Sequence, residues 1–147
     1  MADTTAVQWL YPPDMQDSQW DEKSGNRRVV VRLVGVSDGT GETDVVKVDL
    51  DLLKTPGGNV PRRTVIESVQ YHVFGMTCVL EWDRAPQAEI MRINENGVSD
   101  SGEKSWKDVG GYVDPGSDDG TGDILLTTTN CTNGDNYDIT LSLRLKD

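Results

Sequence analysis

The residues that could do chemistry are few and scattered. The chain holds one histidine, His72, and two cysteines, Cys78 and Cys131. His72 sits inside a strand-like run with no nucleophile at a recognisable spacing, so a catalytic triad is not expected. Zinc takes several Cys, His or carboxylate ligands, and His72, Cys78 and Cys131 show no ligand-like spacing. The acidic run Asp114-Pro115-Gly116-Ser117-Asp118-Asp119-Gly120-Thr121-Gly122-Asp123 could offer oxygens to calcium. It lacks the Asp-x-Asp-x-Asp-Gly loop pattern with a distal Glu, and Asp-Gly clusters are turn formers first. The 25 acidic residues make chance carboxylate pairs inevitable, and none stands out as a glycoside-cleaving pair. No glycine-rich phosphate loop precedes a helix, and no Gly-x-Ser-x-Gly elbow occurs. The expectation is a chain with no catalytic residue, no metal and no cofactor. The tryptophans remain: Trp9, Trp20 and Trp106 could form a platform for sugar rings, whereas Trp82 lies on an apolar strand face and is assigned to the core.

The elements that would carry these residues are strands. From Thr64 to Ile93, Val69, Tyr71 and Val73 alternate with Gln70, His72 and Phe74. After Gly75, Met76, Cys78, Leu80 and Trp82 alternate with Thr77, Val79 and Glu81. A third run, Glu89 to Ile93, follows the Ala85-Pro86 break. Upstream, Arg27 to Val36 and Asp44 to Leu53 read as a long-looped hairpin, with Val46, Val48, Leu50 and Leu52 on one face and Lys47, Asp49 and Asp51 on the other. Asn94 to Gly122 is crowded with turn signals and loses its period, yet Trp106, Tyr112 and Val113 imply that it packs against something. The cleanest pair closes the chain. Asp123 to Thr129 is followed by a reversal at residues 130–135. Then Tyr137, Ile139, Leu141, Leu143 and Leu145 alternate strictly with Asp138, Thr140, Ser142, Arg144 and Lys146, a pattern of a core strand with a well-specified register.

Counting gives seven or eight strands and no convincing helix. The expected fold is all-β: an antiparallel β-sandwich, jelly-roll or Greek-key like, over residues 27–147. Residues 1–26 read as an extended N-terminal arm, in which Trp9, Leu10, Tyr11, Pro12 and Pro13 form an apolar knot and Trp20 follows. The arm could fold back on its own domain or reach a neighbour.

The 147 residues suffice for one domain with a modest core. Acidic residues outnumber basic ones 25 to 14, for a formal net charge of −11. That balance opposes binding to nucleic acid, whose affinity comes from Lys and Arg on phosphates, and binding to an anionic membrane. It suits solubility or docking on a basic surface. No apolar run approaches the roughly 20 residues that span a bilayer, and the first residues lack a secretory pattern. Reduced thiols are therefore expected at Cys78, read as a buried small hydrophobe, and at Cys131.

Two segments together carry a resemblance. One is Val69-Gln70-Tyr71-His72-Val73-Phe74-Gly75-Met76 leading to Val79-Leu80-Glu81-Trp82-Asp83. The other runs from Gly122-Asp123-Ile124-Leu125-Leu126-Thr127-Thr128 through Gly134-Asp135-Asn136-Tyr137-Asp138-Ile139-Thr140-Leu141. From Val65 to Asp147 the chain resembles virion structural proteins of tailed bacteriophages, of the capsid decoration (cement) type. The resemblance implies a non-enzymatic protein made in the host bacterial cytoplasm and carried on the capsid exterior. It implies binding to the major capsid protein of an assembled head and self-association, with a trimer favoured. On that reading Trp9, Tyr11, Pro12, Trp20, Trp106 and Tyr112 are the candidate partner-binding residues. A tail or head-fibre component and a carbohydrate-binding module displayed on the virion are the alternatives.

Overall fold

A computed structural model of the chain describes residues 3–11, 28–53, 59–84, 87–95, 98–114 and 120–146. Its ten strands are β1 (Thr4–Tyr11), β2 (Arg28–Asp38), β3 (Val45–Val48), β4 (Arg63–Phe74), β5 (Thr77–Trp82), β6 (Ala88–Ile93), β7 (Ser99–Ser105), β8 (Tyr112–Val113), β9 (Ile124–Thr129) and β10 (Asn133–Lys146). They form two antiparallel sheets. The larger has the order β1-β2-β10-β4-β7, with β8 also paired to β4; the smaller has the order β3-β9-β5-β6. Their inner faces share one apolar core, with Val31, Leu33, Val69, Val73, Ile139 and Leu141 on one side and Cys78, Leu80, Trp82, Ile124 and Leu126 on the other. This is the expected antiparallel sandwich.

β10 is the centre of the larger sheet. Tyr137, Ile139, Leu141, Leu143 and Leu145 are buried, and the residues between them are half-buried. One row thus faces the core while the other lines the outer face, as strict alternation requires. β2 shows the same pattern at its side, and the two strands run in register from Asn136↔Val36 to Arg144↔Arg28.

Several expectations about connections are corrected. β2 and β3 are not a hairpin: β2 belongs to the larger sheet, and β3 pairs with β9 in the smaller one. The segment between them turns through left-handed backbone at Gly39, Gly41 and Asp44, which carries the chain out of the first sheet. Asp3 Oδ1 accepts from Ser37 Oγ, Asp38 N–H and Gly41 N–H and fixes this crossing. β9 and β10 likewise lie in different sheets. Residues 130–135 step across the sandwich rather than reverse within a sheet, with left-handed backbone at Asn130 and Gly134. β3 ends at Val48, and Leu50–Leu52 form a 3-10 turn in which Leu50 is buried and Leu52 is exposed. The region between Asn94 and Gly122 contains β7, β8 and a second 3-10 turn at Lys107–Val109. In the N-terminal region, Thr4–Tyr11 is a strand paired to β2 from Thr4↔Val36 to Tyr11↔Val30, not an irregular segment.

Candidate functional site

The outer face of the larger sheet carries an ordered display of polar side chains. Because opposed residues share a face, the registers define rungs across five strands. One rung is Gln8, Arg32, Thr140, Gln70 and Glu103; the next is Ala6, Val34, Asp138, His72 and Ser101. Neighbouring rungs are tied together. Arg32 donates to Asp138 in a two-pronged contact, Nε to Oδ1 at 3.0 Å and Nη2 to Oδ2 at 2.7 Å. Its Nη1 also donates to Gln8 Oε1 at 3.2 Å. The hydrogen bonds and charge of Asp138 raise the Arg32 pKa further, so the guanidinium stays charged. On the far side Gln70 Nε2 donates to Glu103 Oε2 at 2.9 Å. Between these pairs lies an open depression of about 390 Å³ lined by Arg32, Gln70, His72, Glu103, Asp138 and Thr140, among others.

The character of this face changes along the strands. Beyond the depression, Val36 and Phe74 flank Asn136 and are 52% and 50% exposed. At the opposite end Arg28 and Arg144 are paired neighbours, and Lys146 faces Arg63. Both arginines reach the buried Glu67, Arg28 Nε at 2.8 Å and Arg144 Nη1 at 3.8 Å. Within a chain of net charge −11, the outer face therefore gathers Arg28, Arg32, Arg63, Arg144 and Lys146. It also carries a small apolar layer of its own. Val65 pairs with Val113 of β8 and is fully buried, and a Cβ on Gly111 would collide with it.

A second polar cluster is internal and joins the two sheets. Lys47 Nζ lies 2.6 Å from Glu42 Oε2, with side-chain exposures of 3% and 7%. The Tyr137 hydroxyl donates to Glu42 Oε1 at 2.6 Å, and Lys47 lies over the Tyr137 ring. Burial, then the Glu42 carboxylate, pushes the Tyr137 hydroxyl pKa upward, so it stays protonated and donating. The ring crosses Gly35 so closely that an added Cβ would lie 2.5 Å from it. Lys47 thus faces inward, against its assignment to the polar face of an alternating strand. The register shift between Val46 and Val48 breaks that alternation. Cys78 is buried nearby, its thiol pushed up to about 12 by desolvation, while Cys131 is half-buried; both are free.

The residues singled out from sequence are dispersed. Trp106 and Tyr112 stack edge to face with ring centroids 5.2 Å apart, and Tyr112 meets Trp82 in the same geometry at 6.3 Å. Both are partly buried against the core, where they close the sandwich beside β6; the Tyr112 hydroxyl donates to the Glu89 carbonyl. Trp82 is fully buried, as assigned. Trp9 packs on the core from β1, and Tyr11 is 45% exposed at the end of the same strand. Pro12 and Trp20 lie outside the described residues. In the acidic run, Asp114 pairs with Arg84 at 3.2 Å and Asp123 Oδ1 accepts the Leu50 N–H; residues 115–119 lie outside the described residues. Among the described residues no group of three or more His, Cys, Asp or Glu could hold a metal ion. Sequence reading missed Arg32, Asp138, Gln70 and Glu103, which meet only through the β2-β10-β4-β7 register. No family model, no curated protein and no solved structure matches the chain.

Proposed function

We propose that this chain is a non-enzymatic docking protein of a phage virion, of the capsid decoration type. On this reading it seats on the outside of an assembled head and stabilises it. The observation that supports this reading is the outer face of the larger sheet. Its charged groups are tied to one another across strands, by Arg32 with Asp138 and by Arg28 and Arg144 with Glu67. Such a surface is rigid before contact, so docking orders few side chains and loses little entropy. The exposed Val36 and Phe74 at one end, with polar neighbours around them, suit the apolar centre and polar surround of a docking surface. The sequence resemblance over Val65 to Asp147 points to the head as the partner.

Mixing the purified chain with empty phage heads tests the proposal. Sedimentation should carry the chain down with the heads in fixed proportion, and loaded heads should survive heating or osmotic shock that opens bare ones. Phe74→Asp, on the exposed face, should reduce co-sedimentation while the unfolding transition stays in place. A chain that stays in the supernatant, or loads without protecting heads, refutes the reading. Deleting residues 1–26 is a poor probe, because it removes β1 and the packing of Trp9.

The depression between Arg32 and Glu103 favours one second reading, a carbohydrate-binding module. Paired Asp, Arg, Gln and Glu side chains at fixed spacing are the groups that bind vicinal hydroxyls, and Thr140 and His72 stand between them. Glycan-array binding that vanishes in Arg32→Ala would support it; no signal on any glycan would remove it.

A further inference from the structure

Among the described residues, the edge strands of the two sheets are not equally protected. An open edge strand carries unpaired backbone groups, and proteins guard such edges with charges, inward-pointing lysines, irregularities or short length. β3 is four residues long and turns Lys47 inward. β6 carries Glu89 and Arg92, an ion pair at 2.7 Å, and its register shifts against β5. β7 carries Asp100, Glu103 and Lys104. β1 shares with β6 a register shift, between Trp9 and Tyr11, but Thr4 to Trp9 run without interruption against β2, and its eight residues, Thr-Thr-Ala-Val-Gln-Trp-Leu-Tyr, hold no charged group and no proline.

β1 also projects beyond the core. Val7 stands directly opposite Leu33, on the same face of the sheet. Leu33 is fully buried, whereas Val7 is 36% exposed. Leu10 and Tyr11 are 42% and 45% exposed. The smaller sheet covers the β2 row and leaves the β1 row half-open.

We propose that Thr4–Tyr11 is a self-association edge, along which two copies of this chain pair β1 to β1, antiparallel, about a two-fold axis. The occupant is a second copy for two reasons. Copies of net charge −11 repel, so they meet best where neither presents charge, and this strand is such a place. The strand is also complementary to itself. Opposed residues share a face, so the two-fold must pass where a residue meets its own mate. Centred on Val7, it sets Val7 against Val7 and Thr5 against Trp9 of the other copy on the core-facing side, with Ala6 against Gln8 on the outer side. The half-covered row of each copy is completed by the other, and the two larger sheets become one. The inference stands on the edge itself and not on the capsid reading, so heads are not needed to test it.

Light scattering of the full chain over a concentration series should give twice the 16.2 kDa chain mass at high concentration. Val7→Lys, which opposes two ammonium groups at the axis, should halve that mass. Ala6→Lys, on the exposed outer side, serves if Val7→Lys disturbs folding by circular dichroism. In a Cys131→Ser background, Val7→Cys should give a disulfide-linked pair on mild oxidation, whereas Val36→Cys, more exposed on the next strand, should not. A monomer at every concentration, a trimer, or a dimer that persists in both lysine variants overturns the proposal.

Discussion

Replacing Lys47 with methionine removes one ammonium and keeps most of the side-chain volume. Lys47 and Glu42 lie 2.6 Å apart with almost no access to water. At an effective dielectric of about 20, their attraction is about 6 kcal/mol. Burying two ions costs several kcal/mol each, so the intact pair contributes little net stability. The variant behaves differently, because Glu42 is then buried with no cation beside it and only the Tyr137 hydroxyl as partner. Loss of one partner of a buried pair costs about 3–5 kcal/mol, a large fraction of the roughly 5–15 kcal/mol that holds a typical domain. Glu42→Gln alone strands the ammonium and should cost a similar amount. The double variant leaves neither charge, and the glutamine oxygen can still accept from Tyr137. Its cost should fall well below the sum of the two, with a coupling of at least about 2 kcal/mol. Equilibrium urea unfolding followed by tryptophan fluorescence reads all four proteins, and equal slopes confirm a common denatured state. A Lys47→Met cost below about 1 kcal/mol, or strict additivity of the two changes, refutes this account of the buried pair.

Three further outcomes are expected. Gly35→Ala should destabilise by about 1–3 kcal/mol, because its new methyl overlaps the Tyr137 ring; a thermal melt at the wild-type midpoint would refute the close approach. Burial raises the Asp123 pKa in the folded chain, with Asp49 and Asp83 adding to it, against the Leu50 N–H that lowers it. The native state therefore holds the Asp123 proton more tightly than the unfolded chain does, and stability falls as pH rises through that window. Asp123→Asn, which still accepts from Leu50, should gain stability over wild type at neutral pH and lose that gain below the ordinary aspartate range; a constant difference across pH would contradict it. Finally, the Cys78 thiol, at about 12, is ionised to only about one part in ten thousand at a pH near 8. A thiol reagent should label Cys131 in native protein and Cys78 only on unfolding, so equal native labelling of both would refute the burial.

How much of this was legible in the sequence depends on whether the information is local. The alternation from Tyr137 to Leu145 identifies a strand and the face it buries, because side chains on a pleated strand point to opposite sides. It does not name the neighbour. Turn signals at residues 37–41 and 130–135 say that the chain changes direction, which reads as a hairpin at the first and a reversal at the second. In fact both carry the chain to the other sheet, a matter decided by where the partner strands already lie. Periodicity places Lys47 on the polar face because it cannot see Glu42 and Tyr137, on which the burial of Lys47 depends. The sequence shows that Trp106 and Tyr112 need a surface but not which one; Trp82 and the core supply it. The outer-face pairs were invisible for a topological reason: Arg32 meets Asp138 across 106 positions of sequence.

That separation bears on how the chain is made. The central strand of the larger sheet is residues 133–146, and β9, at residues 124–129, joins β3 to β5 in the smaller one. A ribosome that has released only the first hundred or so residues has supplied β2 and β4 without the strand that lies between them. It has likewise supplied β3 and β5 without their link. The smaller sheet cannot close until residues 124–129 emerge from the exit tunnel, and the larger one until residues 133–146 do, so neither forms while the first hundred or so residues are being made. Until then the apolar rows of β2, β4 and β5 stand open together, which makes the nascent chain, rather than the finished protein, the form most in need of a chaperone.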